Sequence, residues 1–232
     1  MSLAAAIAAP AAKPLPAAGP QPVLTTHDLA CQRGDRALFE HLELALEPGA
    51  VVWLRGRNGR GKTSLLRLLS SLATPMAGEI RVFGEPSRRS RPEWRQGLVY
   101  IGHQNALKDD LTAGEALAFL MQLGGPKPAP AQVDTALERL GVHAKRRAMV
   151  RTLSQGQRRR VTLARLALSL DKPLWLLDEP FDALDTDGIA TLNALLAEHA
   201  AAGGATLLTS HQALSLARPQ PRIFDLDRHV AA

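Results

Sequence analysis

Gly56-Arg57-Asn58-Gly59-Arg60-Gly61-Lys62-Thr63 has the form G-x-x-x-x-G-K-[ST], and the rest of the chain takes its meaning from it. Before it runs Val51-Val52-Trp53-Leu54, apolar and β-branched in the manner of a buried strand. After it, Ser64-Leu65-Leu66-Arg67-Leu68-Leu69 has helical composition. A strand that ends in glycines and turns into a helix aims several backbone N–H groups at one point, with the positive end of the helix dipole behind them. A triphosphate fits that point. Gly56, Gly59 and Gly61 allow backbone conformations that a side chain would forbid. In this pattern Lys62 reaches the β- and γ-phosphates and the Thr63 hydroxyl binds Mg²⁺. Arg57, Asn58, Arg60 and Ser64 are counted with them as nucleotide-binding residues of the loop and helix start. Arg60 is unusual where a small residue is the rule. It either crowds the loop or adds charge near the phosphates.

Upstream, Val23-Leu24-Thr25-Thr26 and Leu38–Leu46 read as strands joined through a Gly34-Asp35 turn, and Glu47-Pro48-Gly49 turns the chain into the strand before the loop. Downstream, Leu98-Val99-Tyr100-Ile101 is a second core strand that ends at Gly102-His103-Gln104. His103, next to Gln104 on an extended chain, is expected to point the other way and receives no catalytic role. Thr112 and Glu115 form the sequence pattern of a capping box. Ala131–Leu140 is helical, with Val133, Leu137 and Leu140 on one face, and Gly141 ends it.

Ser154-Gln155-Gly156-Gln157 offers a second phosphate site. Ser154 has a hydroxyl, Gly156 a bare backbone N–H, and both stand before a helix expected over Arg158–Leu170. The run Arg158-Arg159-Arg160 reads as the exposed face of that helix. Pro173–Leu177 is a buried strand that ends in Asp178-Glu179, and acids directly after an apolar strand are costly unless they have work to do. A helix over Gly188–Ala201 and a strand over Thr206–Ser210 follow, with His211 at the strand end.

The 232 residues suffice for one large domain, with hydrophobic residues at 46% giving a full core. One cysteine, Cys31, excludes an intrachain disulfide. A net charge of +6 favours acidic partners, or reflects the Arg-for-Lys bias of a GC-rich genome. The basic loop Ser87–Arg95 carries only Trp94 as an aromatic, so no nucleic-acid partner is expected. No apolar run approaches the ~18 to 20 residues needed to span a bilayer. Residues 1–22, rich in Ala and Pro, read as a disordered tail.

Phosphate loop, Gln104, Leu153-Ser154-Gln155-Gly156-Gln157, Asp178-Glu179 and His211, in that order, resemble the motif set of ABC-type ATPases. The turn Thr74–Ile80 and the stretch Pro180–Asp185 resemble that family's further turn and its D-loop. The resemblance implies an α/β P-loop NTPase: a parallel core sheet, an N-terminal antiparallel β-subdomain and a helical insertion over about residues 105–160, within one ATPase domain over 23–232. It implies roles as well. Gln104 and Asp178 join Thr63 at Mg²⁺, Glu179 polarises the attacking water and His211 contacts the γ-phosphate. Lys62 stands with these as a catalytic residue. Ser154, Gly156 and Gln157 cover the ATP held by a second copy in a head-to-tail dimer. The family's adenine-stacking aromatic is missing from Cys31-Gln32-Arg33. Arg33 is either a stacking guanidinium or, the better reading, a solvated turn residue.

Longer stretches narrow the resemblance. Gly102–Thr112, Leu153–Arg159, Pro173–Phe181 and His211-Gln212 resemble the ATP-binding subunits of the haem-exporter family of cytochrome c biogenesis. That implies a peripheral subunit on the cytoplasmic face of a bacterial inner membrane, with an integral membrane subunit as partner and release of haem-loaded chaperone as the coupled event. The alternatives are an exporter ATPase with another cargo, a soluble ABC protein acting on nucleic acid or the ribosome, and a non-hydrolysing nucleotide-binding module.

Overall fold

The computed structural model describes residues 21–87, 96–212, 214, 216 and 218–229. The basic loop positions Arg88, Arg89, Arg91, Trp94 and Arg95, and the tail up to residue 20, lie outside the described residues. Two sheets form. The first is antiparallel, in the order β2-β1-β4-β5, built from β1 (Leu24–Arg33), β2 (Arg36–Leu46), β4 (Ala77–Val82) and β5 (Glu85–Pro86). The second is parallel, in the order β6-β7-β8-β3-β9, built from β3 (Val51–Arg55), β6 (Leu98–Ile101), β7 (Leu174–Leu177), β8 (Ala205–Thr209) and β9 (Arg222–Asp225). β7 and β8 are buried at every position, as expected of central parallel strands covered on both faces.

Helix α1 (Lys62–Leu69) fills the space between the sheets. Leu65, Leu66, Leu68 and Leu69 meet Phe39, Leu42, Leu54 and Leu207 in one core. A second core lies on the other face of the parallel sheet. There Val99, Trp175 and Leu208 pack with α2 (Ala113–Gln122), α3 (Pro130–Arg139), α4 (Gln155–Ala167) and α5 (Thr186–Ala201). Helices α2 and α3 pack on α4, and the Ala113 and Gly114 amides bond to the Ala148 and Arg146 carbonyls.

The caps explain where the helices begin. Thr112 caps α2 through its hydroxyl, and Glu115 reaches back to the Thr112 amide at 2.9 Å, the capping box read from sequence. Helix α4 starts at Gln155 and ends at Ala167, shifted from the expected Arg158–Leu170. The reason is a second box: the Ser154 hydroxyl accepts the Gln157 N–H at 3.3 Å, and Gln157 Oε1 accepts the Ser154 N–H at 3.1 Å. Asp185 accepts the Gly188 N–H at 2.9 Å, which starts α5 at Thr186.

Behind the parallel sheet, Trp175 and His199 stack with ring centroids 3.7 Å apart and planes 3° from parallel. His199 Nε2 lies 2.8 Å from the Lys172 carbonyl and Nδ1 3.1 Å from the Thr206 hydroxyl. Both nitrogens are satisfied by a neutral ring that donates from Nε2 and accepts at Nδ1. Burial lowers the imidazole pKa, opposed by the bond to the Lys172 carbonyl.

Candidate functional site

The phosphate loop leaves β3 at Arg55 and enters α1 at Lys62, as its spacing requires. Gly61 caps the helix at φ 101°, and a Cβ there would lie 3.2 Å from Leu38, so the position needs glycine for conformation and space together. Lys62 folds across the loop and its Nζ donates to the Gly56 carbonyl at 2.7 Å. A cavity of about 540 Å³ opens over the loop. Arg57, Asn58, Gly59, Gly61, Lys62, Thr63 and Ser64 form its floor, and Asp178, Glu179 and His211 stand at one side. Gly56 and Arg60 do not line it. The Arg60 N–H is used inside the loop, donating to the Arg57 carbonyl at 3.3 Å.

The acids come from the end of β7, where the sheet hands them to the loop. The Thr63 hydroxyl donates to Asp178 Oδ2 at 2.8 Å, which joins the helix start to the strand end. Asp178 Oδ1 accepts from the Thr209 hydroxyl, also at 2.8 Å, and that hydroxyl in turn accepts the Glu179 N–H. Glu179 has φ 47°, a left-handed conformation that is uncommon and unfavourable for a residue with a side chain. Its carboxylate accepts the His211 N–H at 3.0 Å, and Oε1 lies 3.5 Å from His211 Nε2. Burial raises the Glu179 pKa, with His211 opposing the shift and Asp182 adding to it. A carboxylate held against an imidazole beside a floor of loop N–H groups can take a proton from water attacking a phosphoryl group.

Gln104 lines an adjoining cavity of about 550 Å³ that shares Thr63, His103 and Asp178 with the first. His103 corrects the sequence expectation. The strand stops at Ile101, so alternation does not extend to residue 103, and His103 borders both cavities, with Nδ1 3.7 Å from Asp182. Ser154, Gly156 and Gln157 do not line the cavity over Lys62. The Ser154 hydroxyl and the Gln157 side chain are engaged in the capping box. Gly156 has a packing reason besides its bare N–H: a Cβ there would lie 2.8 Å from the Ala183 carbonyl.

The arginine run is the larger correction. Arg159 is 3% exposed, and its guanidinium donates to four backbone carbonyls and one side-chain oxygen around the acids. Arg160 donates to the Leu140 carbonyl at 2.7 Å and pairs with Asp185, and Arg158 lies 3.2 Å from Asp109. The middle arginine is anchored because it lies on the buried face of α4, at helical spacing from Thr162, Leu163 and Leu166. Arg33 and Arg36, paired across the β1–β2 turn, both line the nucleotide-sized cavity. Asp227, just beyond β9, accepts the Arg57 N–H at 3.1 Å. Helical spacing to Leu163 and Leu166 is the signal that sets Arg159 apart from its neighbours, whereas Asp227 is brought to the loop by the pairing of β9 with β3. Thr209 also had a signal, a polar residue at a fully buried strand position.

The model of the family described as ABC transporter matches residues 39–182. The Aromatoleum aromaticum protein named cytochrome c biogenesis ATP-binding export protein CcmA is 47% identical over 210 residues, covering 90% of this chain and 98% of that protein. Among solved structures, an ABC transporter ATP-binding protein from Pyrococcus furiosus superposes with a TM-score of 0.76 at 26% identity, covering 90% of this chain and 99% of that one. A dimeric post-hydrolysis ATP-binding cassette bound to ADP and Pi is similar in fold, with a TM-score of 0.70 at 21% identity and coverage of 82% and 88%.

Proposed function

Because the chain belongs to the ABC transporter family, we infer that it is the ATP-hydrolysing subunit of a membrane complex that serves cytochrome c maturation. The observation that carries this reading is the near full-length similarity at 47% identity to a cytochrome c biogenesis ATP-binding export protein. Gathering Lys62, Thr63, Asp178, Glu179 and His211 around one cavity supports hydrolysis over mere nucleotide binding.

In the proposed reaction, loop N–H groups and Lys62 hold the phosphates of ATP. Glu179, aimed by its bonds to His211, accepts a proton from water as the water oxygen bonds to the γ-phosphorus. The bond from that phosphorus to the β–γ bridging oxygen breaks, leaving ADP and phosphate. His211 presents its ring to the γ-phosphoryl oxygens. Thr63 and Asp178 are the hard oxygen donors that Mg²⁺ takes, and Gln104 borders the same place. When bound, Mg²⁺ offsets charge on the β- and γ-phosphates. The rate gain comes from positioning and preorganised charge.

Ser154, Gly156 and Gln157 act on the nucleotide of a second copy in a head-to-tail dimer. Their absence from the Lys62 cavity supports this arrangement. The helical part, residues 105–160, meets an integral membrane subunit at the cytoplasmic face of the bacterial inner membrane. Among the described residues no helix is long and apolar enough to cross a membrane, which fits a subunit whose spans are supplied by another chain. The test is a haem stain for c-type cytochromes in cells that carry Lys62→Ala in place of the wild type. Loss of covalent haem cytochromes, with the variant at normal abundance, is the expected result. Normal staining would overturn the maturation role and direct attention to an exporter with another cargo.

A further inference from the structure

Arg159 sits at the junction of three segments. Its Nε donates to the Pro180 carbonyl at 3.3 Å, and Nη1 donates to the Gly102 carbonyl at 3.1 Å and to Asn105 Oδ1 at 3.4 Å. Nη2 donates to the Asp178 carbonyl at 3.1 Å and the Glu179 carbonyl at 2.6 Å. A guanidinium has five N–H bonds in a fixed plane, and here each finds an acceptor. Two acceptors flank Gln104 in sequence, and three are the successive carbonyls of Asp178, Glu179 and Pro180. The arginine itself belongs to α4, which begins beside Ser154.

This placement bears on the strained residue. Glu179 keeps its left-handed backbone only if its surroundings over-determine it. The peptide before it is held by Arg159 at the Asp178 carbonyl and by Thr209 at the Glu179 N–H, and the peptide after it by Arg159 at the Glu179 carbonyl. The conformation directs the carboxylate to His211. Burying a cation among carbonyls is costly unless every donor is used, which explains why the network is complete.

We propose that Arg159 is a positioning residue for hydrolysis: it fixes the backbone of Glu179 and ties it to the segment bearing Gln104 and to the helix that Ser154 caps. Movement of α4 and the 102–105 segment is thereby transmitted to the placement of the Glu179 carboxylate. The proposal rests on the reading of Glu179 as the proton acceptor. Lysine keeps the charge but replaces a planar fork by a point donor that cannot hold five fixed acceptors.

The test is steady-state ATP hydrolysis by the full chain carrying Arg159→Lys or Arg159→Gln, each also combined with Glu179→Gln, together with nucleotide affinity by titration. The expected result is a fall in kcat of about 30-fold or more in each Arg159 variant. KM and ATP affinity should stay within about threefold, and no further loss should appear in the Glu179→Gln background, because residues acting through one another are non-additive. Equal losses in kcat and affinity, or multiplicative losses in the double variants, would overturn the proposal. So would a failure of both Arg159 variants to bind nucleotide, which would make Arg159 a folding determinant. A wild-type rate for Glu179→Gln alone would instead remove the reading of Glu179 on which the proposal stands.

Discussion

Arg60 turns its guanidinium to Asp227, with Nε 3.4 Å from Oδ1. Asp227 Oδ1 is buried and accepts no hydrogen bond among the described residues, so the pair is ionic with imperfect geometry. The same carboxylate accepts the Arg57 N–H and lies 3.6 Å from Arg57 Nε. Both arginines of the phosphate loop are therefore met by one acid outside it. Arg60→Ala is expected to change ATP affinity by less than about threefold, because its side chain does not line the cavity. Asp227→Ala releases the loop at two points and should weaken ATP binding by up to about tenfold, or roughly 1.4 kcal/mol. Equilibrium titration with ATP reads both. A loss above tenfold in Arg60→Ala would mean a phosphate contact instead.

Glu179→Gln keeps the shape of the side chain and removes the proposed proton acceptor. Hydrolysis should fall by roughly 10²- to 10⁴-fold, the usual contribution of a general base, while ATP binding persists. The variant should accumulate as an ATP-dependent dimer, visible by light scattering. A monomer at millimolar ATP, alone and with the proposed membrane partner, would contradict the proposed head-to-tail arrangement.

Burial lifts the Glu179 pKa above its ordinary 4.5, and the Asp182 charge adds to the shift while His211 opposes it. As the proposed proton acceptor Glu179 acts in its ionised form, so activity should be lost as pH falls through the raised value. The acid limb of kcat/KM against pH should lie above that of an ordinary carboxyl. Asp182→Asn removes one raising charge and should move the limb to lower pH. A limb that stays in place would show that Asp182 does not act on the group being titrated.

His199 makes the folded protein acid-sensitive by a separate route. Burial depresses its pKa below the ordinary 6.5, so the native ring stays neutral while the unfolded chain takes up a proton. The unfolded state then binds more protons, and stability rises with pH through the window between the depressed value and 6.5. Unfolding midpoints from pH 5 to 8 should show a decline on acidification that is smaller in His199→Phe. An unchanged pH slope in that variant would assign the acid sensitivity to other groups.

A close neighbour of that ring offers a steric test. A Cβ at Gly204 would lie 2.1 Å from His199 Nε2, well inside contact distance. Gly204→Ala must displace a ring that is stacked on Trp175 and bonded at both nitrogens. Overpacking of this kind costs about 1–3 kcal/mol, measurable as a lower denaturant midpoint. An unchanged midpoint would mean that the ring has another place to go.

The residues legible in sequence are those whose chemistry is local. The phosphate loop, the acids after β7 and His211 after β8 each sit at a strand end, where an apolar, buried run stops and a polar residue is conspicuous. The Thr112 capping box is equally local, since both partners lie within one turn. The sheet order was beyond such reasoning, and so was β9, a short strand with two exposed residues and no apolar run to announce it. Strand alternation misplaces His103 because the strand ends at Ile101, two residues before it. Reading the arginine run as one exposed face fails at Arg159 because that residue shares the buried face of α4 with Thr162, Leu163 and Leu166.

The strand that carries the phosphate loop, β3, is flanked in the sheet by β8 on one side and β9 on the other. Both neighbours are made long after it during synthesis. Until residues 205–225 leave the ribosome, Val51–Leu54 is an apolar segment with both hydrogen-bonding edges open, and closing those distant pairs carries the loop-closure cost of a non-local topology. A nascent chain therefore cannot present a finished nucleotide cradle. Capture of ATP becomes one of the last events of folding, and the interval before it is when a chaperone has most to shield.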